Sequence, residues 1–90
     1  VVILYNVARG SVVDKEALIQ FLKSKLIRAE GLDVYTNEPN ISKELMSLDN
    51  TVLLPHIASG TVETRNAMGQ LVYDNIENFF KGKNLISPVV

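Results

Sequence analysis

The sequence predicts an α/β fold built on a parallel sheet, and two features indicate it. Three short apolar runs, at residues 1–5, 31–34 and 51–54, alternate with stretches of helical periodicity, as they do in βαβ units. The first run is continuously apolar and carries β-branched residues at three of its five positions, which predicts a strand buried on both faces. The predicted order of elements is β-α-β-α-β-α.

The first helix is predicted over roughly residues 15–26. Gly10 supplies the turn before it, and Asp14 is a suitable N-cap because its side chain accepts hydrogen bonds from N–H groups of the first turn. Glu16 lies in that first turn, where the helix dipole favours a negative charge. Apolar residues recur at the spacing of an amphipathic helix: Ala17, Leu18, Phe21, Leu22 and Leu26.

The second strand is predicted over residues 28–35, with Leu32 and Val34 as its apolar members. A short helix is predicted over residues 42–48. Pro39 ends the segment between them, because the residue before a proline is pushed out of the α conformation. The short helix is expected to turn three residues inward: Leu45, Met46 and Leu48.

The third strand is predicted over residues 51–54, where Pro55 stops it. Thr61 or Thr64 is expected to cap the last helix, and Gly82 to end it. One apolar stripe runs along this helix over three turns: Met68, Leu71, Val72, Ile76, Phe79 and Phe80. The apolar tail at residues 84–90 is expected to pack against a part of the protein that this sequence does not contain.

The composition excludes several classes of protein. A chain of 90 residues that is 47% hydrophobic and 21% charged is globular rather than disordered. A net charge of −1 without a basic stripe gives no electrostatic case for a nucleic-acid partner. With no cysteine and one histidine, the sequence offers no thiol nucleophile, disulfide or metal-ligand cluster. No apolar stretch approaches the ~18 residues that a membrane span needs.

A candidate site lies at the carboxyl ends of the predicted strands. The polar segments that follow the three apolar runs contain Arg9, Glu38 and the single histidine, His56. Parallel strands bring these ends to one edge of the sheet, where ligands bind in open α/β sheets. The sequence therefore predicts that an anion-binding arginine, a proton-transferring histidine and a carboxylate are neighbours.

Each candidate residue also has an ordinary structural interpretation. An imidazole suits proton transfer near neutrality, and a carboxylate bonded to one ring nitrogen favours its charged form; His56 and Glu38 are otherwise ordinary loop residues. Arg9 suits bidentate binding of a substrate carboxylate, or else it is a surface arginine or forms an intrachain ion pair. Asp33 lies in a buried strand and needs a partner, which a backbone N–H would provide.

Three ordered motifs resemble those of the D-isomer-specific 2-hydroxyacid dehydrogenases, and most of all the glyoxylate/hydroxypyruvate reductase branch. They are Asn6-Val7-Ala8-Arg9-Gly10-Ser11-Val12-Val13-Asp14, then Gly31-Leu32-Asp33-Val34-Tyr35 with Glu38-Pro39, then Pro55-His56-Ile57 with Thr61 and Thr64-Arg65. The resemblance covers essentially all 90 residues. It implies the second half of a Rossmann-type doubly wound parallel sheet, as a fragment of a two-domain enzyme. Residues 1–83 are then the C-terminal half of the NAD(P)-binding domain with its long return helix, and residues 84–90 return toward the substrate domain.

The resemblance implies an oxidoreductase that transfers a hydride between NAD or NADP and a small 2-oxoacid, with glyoxylate or hydroxypyruvate favoured. It implies that Arg9 binds the substrate carboxylate, that His56 is the acid/base and that Glu38 is the carboxylate partner of His56. Asp33 matches the aspartate that contacts the nicotinamide carboxamide. The implied cofactor-binding residues are Val7, Ala8, Arg9, Asp33, His56, Ala58 and Ser59.

Some features of the family pattern are altered or absent. Ala58 stands where glycine is usual, and Glu30 replaces a usually small residue. The 90 residues contain no Gly-rich phosphate loop, so we expect this segment alone to be catalytically inactive. For the full-length protein the resemblance implies a cytoplasmic homodimer without a membrane or nucleic-acid partner.

Two alternatives share this scaffold. A regulatory or corepressor protein that senses NAD(H) also retains the arginine, glutamate and histidine, so the sequence is compatible with it. A dehydrogenase acting on formate or phosphite is the other alternative. Formate enzymes typically carry glutamine at the position of Glu38, which counts against them.

Overall fold

The structure is a computed structural model that describes residues 1–89, and it divides into two units, Val1–Ala58 and Ser59–Val90. The predicted domain boundary after residue 83 stays a prediction.

The first unit is a three-stranded parallel sheet with helices in the connections between its strands. The spatial order is β1-β2-β3, and in the register Tyr5 lies opposite Gly31 and Leu32 opposite Leu53. The elements are β1 Ile3–Asn6, a 3₁₀ turn Gly10–Val12, α1 Lys15–Lys23, β2 Ala29–Leu32, α2 Lys43–Met46 and β3 Thr51–Leu53. The predicted α/β order and the parallel pairing are confirmed.

The core of this unit lies between the sheet and the two α-helices. Its buried members come from α1, β2 and α2: Leu18, Ile19, Leu22, Leu32 and Leu45. Full burial of such a side chain stabilises the fold by about 1.5–3 kcal/mol. The prediction that Met46 points inward is wrong: it is half exposed, because the single turn of α2 directs only Leu45 into the core.

The helix ends follow the predicted capping chemistry. Asp14 Oδ1 accepts a hydrogen bond from the N–H of Ala17 at 2.9 Å. The first helix ends at Lys23 rather than near residue 26, because the Ser24 hydroxyl donates to the carbonyl of Gln20 and Lys25 adopts a left-handed conformation, φ +59°.

The first strand differs from the prediction that both of its faces are buried. Leu4 packs against the core, but Ile3 and Tyr5 on the opposite face are 48% and 74% exposed. The helical connections cover the face of the sheet that carries Leu4. No helix among the described residues of the first unit covers the opposite face, so Ile3 and Tyr5 stay exposed. The second strand is also shorter than residues 28–35, because ladder pairing with β1 and β3 ends at Leu32.

The second unit consists of α3, Val62–Phe80, and the segment that follows it. Thr61 caps the helix by accepting a hydrogen bond from the N–H of Thr64 at 3.1 Å, and Gly82 follows its end with φ +66°, as predicted. Asn75 Oδ1 accepts hydrogen bonds from the N–H groups of Ile86 and Ser87, which ties the tail to the helix. No helix in residues 1–89 combines the length and apolar character of a membrane span.

A close backbone approach at Gly10 brings two site-bearing loops together. A Cβ added at Gly10 would lie 2.1 Å from the carbonyl carbon of Tyr35 and 2.3 Å from the backbone nitrogen of Thr36. Only a residue without a Cβ allows this contact. The turn that carries Arg9 therefore packs directly against the backbone of the segment that leads to Glu38.

We expect Gly10→Ala to destabilise the protein by about 1–3 kcal/mol, because an overlap with backbone cannot be relieved by a side-chain rotation. Urea unfolding followed by circular dichroism measures the effect. Gly69→Ala is the matched control: an added Cβ there meets nothing within 4 Å, and alanine is favoured over glycine inside a helix by roughly 0.5–1 kcal/mol. A Gly10→Ala protein as stable as the parent would contradict the close approach.

The sheet contains a buried carboxyl group, that of Glu30 in β2. The residue is 2% exposed, and neither carboxyl oxygen has a hydrogen-bond partner among the described residues. Burial raises the pKa of Glu30 from its ordinary value of 4.5 to about 7, because a charged carboxylate loses its hydration there. In the folded protein Glu30 therefore keeps its proton at pH values where the unfolded chain has lost it.

We expect Glu30 to make the free energy of unfolding fall as the pH rises from about 4.5 to about 7, by about 3 kcal/mol. A raised folded-state pKa stabilises the fold fully below the unfolded value, and this contribution is lost as the pH passes the folded value. Glu30→Ala should remove that fall, whereas Glu63→Ala, at an exposed position, should leave it unchanged. Urea titrations at half-unit pH steps measure it, and parallel pH curves for the parent and Glu30→Ala would contradict the expectation.

Candidate active site

Three loops at the carboxyl edge of the sheet carry the predicted site residues of the first unit. The loop after β1 holds Arg9, the loop after β2 holds Asp33 and Glu38, and the loop after β3 holds His56. Ser59 is the first residue of the second unit, and its assignment to the site stays a prediction. Residues 1–89 contain no group of three or more side chains suited to a metal ion.

Glu38 and His56 form a direct pair. His56 Nδ1 lies 2.7 Å from Glu38 Oε2, and the two side chains are 47% and 34% exposed. The other oxygen of Glu38, Oε1, accepts a hydrogen bond from the N–H of Tyr35 at 2.9 Å. The hydrogen bond to His56 and the N–H of Tyr35 lower the pKa of Glu38, so the carboxylate is ionised near neutral pH.

This pairing determines which ring nitrogen of His56 is available for chemistry. An ionised carboxylate only accepts hydrogen bonds, so Nδ1 carries the proton that faces Glu38. Nε2 is then the nitrogen that Glu38 does not bind, and it can give or take a proton. The arrangement is that of an acid/base histidine oriented by a carboxylate.

Backbone conformation places His56 at a bend in its loop. Its φ angle is +57°, in the left-handed region that a residue with a Cβ occupies at a cost of about 1 kcal/mol or more. The N–H groups of the next two residues, Ile57 and Ala58, donate to Asp33 Oδ1 and Oδ2 at 2.8 and 2.7 Å. The hydrogen bond from Ile57, together with the one from Ala58 and the nearby charge of His56, lowers the pKa of Asp33.

Asp33 therefore has the partner that a buried carboxylate needs. It is 1% exposed, and both of its oxygens accept backbone N–H groups, as the structural interpretation of the sequence predicted. A carboxylate has about four acceptor positions, so these two bonds leave capacity for a further donor. Its role in cofactor binding stays a prediction.

Arg9 lies on a turn that the side chain of Asn6 stabilises through hydrogen bonds. Asn6, 6% exposed, donates from Nδ2 to the carbonyl of Arg9 at 2.9 Å and accepts from the N–H of Ala8 at 3.1 Å. The guanidinium donates to the carbonyl of Ala8, and no carboxylate among residues 1–89 forms an ion pair with it. Its charge makes a small contribution to the lowered pKa of Glu38, so it lies within electrostatic reach of that carboxylate.

Tyr35 connects the ends of two strands, a role that the sequence does not predict. Its hydroxyl donates to the carbonyl of Leu54 at 2.7 Å and also approaches the carbonyl of Leu32. Burial raises the pKa of Tyr35, so the hydroxyl keeps its proton and stays a donor. The available signal was its position directly after the apolar run at residues 31–34, which does not reveal the carbonyl that it reaches.

A cavity of about 150 Å³ adjoins the Glu38–His56 pair. Its lining comes from the loops after β2 and β3: Tyr35, Glu38, Pro39, Ile41, Pro55 and His56. Four of these side chains, Tyr35, Pro39, Ile41 and Pro55, make the walls largely apolar, and the ionisable pair is the polar part of the lining. The Glu38–His56 pair thus lies at the edge of this cavity and is also partly exposed to solvent.

Comparison with known proteins places the chain in a family. The sequence model for the D-isomer specific 2-hydroxyacid dehydrogenase NAD binding domain matches residues 1–58, the same residues that form the first unit. Glyoxylate/hydroxypyruvate reductase A HPR2 of Arabidopsis thaliana is 50% identical over 88 residues, 98% of this chain and 28% of that protein. The 2-ketogluconate reductase of Gluconobacter oxydans is 53% identical over 87 residues, 97% of this chain and 28% of that protein.

A solved structure agrees with these relatives. The NADPH-dependent glyoxylate/hydroxypyruvate reductase SmGhrB of Sinorhizobium meliloti, in complex with NADP and malonate, is 48% identical and superposes with a TM-score of 0.85 over 98% of this chain and 28% of that one. The chain thus spans about 28% of the length of these relatives, and the predicted Rossmann-type class is confirmed. The chain belongs to the D-isomer specific 2-hydroxyacid dehydrogenases and contains part of their NAD-binding domain.

Proposed function

We propose that the full-length protein interconverts a small 2-oxoacid and its D-2-hydroxyacid with NAD(H) or NADP(H), with glyoxylate or hydroxypyruvate as the favoured oxoacid. One observation carries the proposal: His56 Nδ1 lies 2.7 Å from Glu38 Oε2 at the carboxyl edge of the sheet. An oriented imidazole at that edge supplies the proton that reduction of a ketone requires. The names of the relatives support the substrate class.

The residues at this edge fit a nicotinamide cofactor. Val7 and Ile57 present exposed apolar side chains on two of the loops, Ala8 and Ala58 are small, and the Asp33 carboxylate has unused acceptor capacity for an amide N–H. We therefore assign Val7, Ala8, Asp33 and Ala58 to the nicotinamide side of the site. When bound, the cofactor supplies the hydride that reduces the carbonyl carbon.

His56 acts at the carbonyl oxygen in this proposal. In reduction, Nε2 donates its proton to the oxygen as negative charge develops there, and in oxidation it accepts the proton from the hydroxyl. Glu38 remains ionised throughout, because its two oxygens are held by the ring and by the N–H of Tyr35. The ionised carboxylate stabilises the protonated ring in the state that reduction needs.

Arg9 binds the carboxylate of the oxoacid. Its guanidinium has donors beyond the one used on Ala8, and a planar guanidinium pairs with a carboxylate through two parallel hydrogen bonds. This contact orients the carbonyl toward His56. Malonate, a dicarboxylate, is bound by the relative from Sinorhizobium meliloti, in keeping with a site that recognises carboxylates.

The acid/base assignment is tested in the full-length enzyme with glyoxylate and NADPH. His56→Gln should lower kcat of reduction by about 10²–10⁴-fold, the usual contribution of a general acid. Glu38→Gln should move the pH at which reduction loses rate to a lower value, because the ring loses the negative charge that favours its protonated form.

Glu63→Gln, a change at an exposed position of α3, is the control and should leave both kcat and the pH profile unaltered. An unchanged pH–rate profile for Glu38→Gln would remove Glu38 from this role. If the parent protein binds the dinucleotide but turns over none of a panel of 2-oxoacids, the regulatory alternative is favoured over the enzyme.

The substrate-binding assignment is tested with Arg9→Lys. Lysine keeps the charge but cannot form the paired contact, so KM for glyoxylate should rise by about tenfold or more, while KM for NADPH changes little. Arg28→Lys, on the amino side of β2, is the matched control. Equal KM values for Arg9→Lys and Arg28→Lys would show that the substrate carboxylate binds elsewhere.

A further inference from the structure

We propose that Asp33 is the positioning residue of His56: its carboxylate holds the loop after β3 in the bend that directs the imidazole toward Glu38. The proposal deepens the proposed function and rests on it. Its basis is the pair of hydrogen bonds from the N–H groups of Ile57 and Ala58 to the two oxygens of Asp33, at 2.8 and 2.7 Å.

The bend needs an external restraint. His56 has φ +57°, a conformation that a residue with a Cβ leaves readily when nothing holds it. The two bonds bind the residues directly after the bend, so relaxation of His56 to an ordinary conformation would break them. Bonds from backbone N–H groups to an ionised carboxylate are among the stronger hydrogen bonds in proteins.

Asp33 is itself fixed to the sheet. It follows β2 directly, its N–H donates to the carbonyl of Asn6 at 3.1 Å, and its side chain is almost fully buried. The loop that carries His56 is thus attached to the sheet through one side chain. Glu38 cannot replace this attachment. Its contact with His56 is to the imidazole ring and not to the backbone, and Glu38 itself lies on a loop.

The two carboxylates therefore divide the task. Asp33 restrains the backbone of the loop, and Glu38 restrains the ring and fixes its Nδ1 proton. A positioning residue of this kind should affect the rate of the chemical step more than substrate binding, since a displacement of about 1 Å in a catalytic group can cost on the order of 100-fold in rate.

The test is a double-mutant cycle on kcat of glyoxylate reduction in the full-length enzyme, with the parent, Asp33→Asn, His56→Gln and the double variant. Asparagine keeps the shape of the side chain but presents an NH₂ to one of the two N–H groups. We expect Asp33→Asn to lower kcat by about 10- to 100-fold with little change in KM for glyoxylate. In the His56→Gln background the same change should lower kcat by a markedly smaller factor.

The cycle separates this proposal from the proposed function. Full additivity of the two losses would overturn the positioning role and leave His56 as the acid/base. An active His56→Gln enzyme would instead overturn the proposed function itself. Repeating the cycle with the 3-acetylpyridine analogue of NADPH, which lacks the carboxamide NH₂, removes a contact from Asp33 to that group. The coupling to His56 should persist with the analogue, and its disappearance would assign Asp33 to cofactor binding alone.

A measurement on the parent enzyme keeps the proposal testable if Asp33→Asn does not fold. The N–H groups of Ile57 and Ala58 should exchange slowly with deuterium although the side chain of Ile57 is half exposed, because both are bonded to Asp33. Exchange at the rate of an unstructured peptide would contradict the restraint. Where Asp33→Asn does fold, both sites should exchange faster.

Discussion

The site depends on hydrogen bonds between two ionised carboxylates and the backbone of the loops around them. Asp33 accepts the N–H groups of Ile57 and Ala58, and Glu38 accepts the N–H of Tyr35 while its second oxygen meets the ring of His56. Loops at the edge of a sheet have N–H groups that the ladder does not use, and a buried carboxylate requires such donors. The carboxylates therefore satisfy the free N–H groups of the loops, and the N–H groups compensate the buried negative charge. The imidazole of His56 is oriented as a consequence.

Two carboxyl groups close together in sequence show how much the supply of donors matters. Glu30 lies within β2, where its own N–H donates to the carbonyl of Asn50 and its carboxyl finds no partner among the described residues; burial raises its pKa to about 7. Asp33, just beyond the end of β2, meets two backbone donors that lower its pKa. The pKa of a carboxyl group is thus raised inside the sheet, where burial is uncompensated, and lowered at the edge, where backbone N–H groups bind the carboxylate.

Much of the fold was predictable because it depends on local signals. The order of strands and helices follows from apolar runs and helical periodicity, and the caps at Asp14 and Thr61 follow from side chains that accept N–H groups of a first turn. The exposure of Tyr5 was not predictable, because a continuously apolar strand does not show which of its faces a given segment covers. The end of α1 at Lys23 was set by Ser24 and by the left-handed Lys25, neither of which periodicity records.

For the site, the sequence indicated which residue types meet at the edge but not how they are connected. Parallel strands predict that Arg9, Glu38 and His56 share one edge, yet the 2.7 Å contact between Glu38 and His56 also depends on the lengths and bends of two loops. The close contact between the Arg9 turn and the backbone of Tyr35 depends on Gly10, because a Cβ at that position would overlap with the Tyr35 backbone. Strand topology therefore brings the chemical groups to one edge of the sheet. The close approach at Gly10 and the hydrogen bonds to the Asp33 carboxylate then position the loops that carry Arg9 and His56.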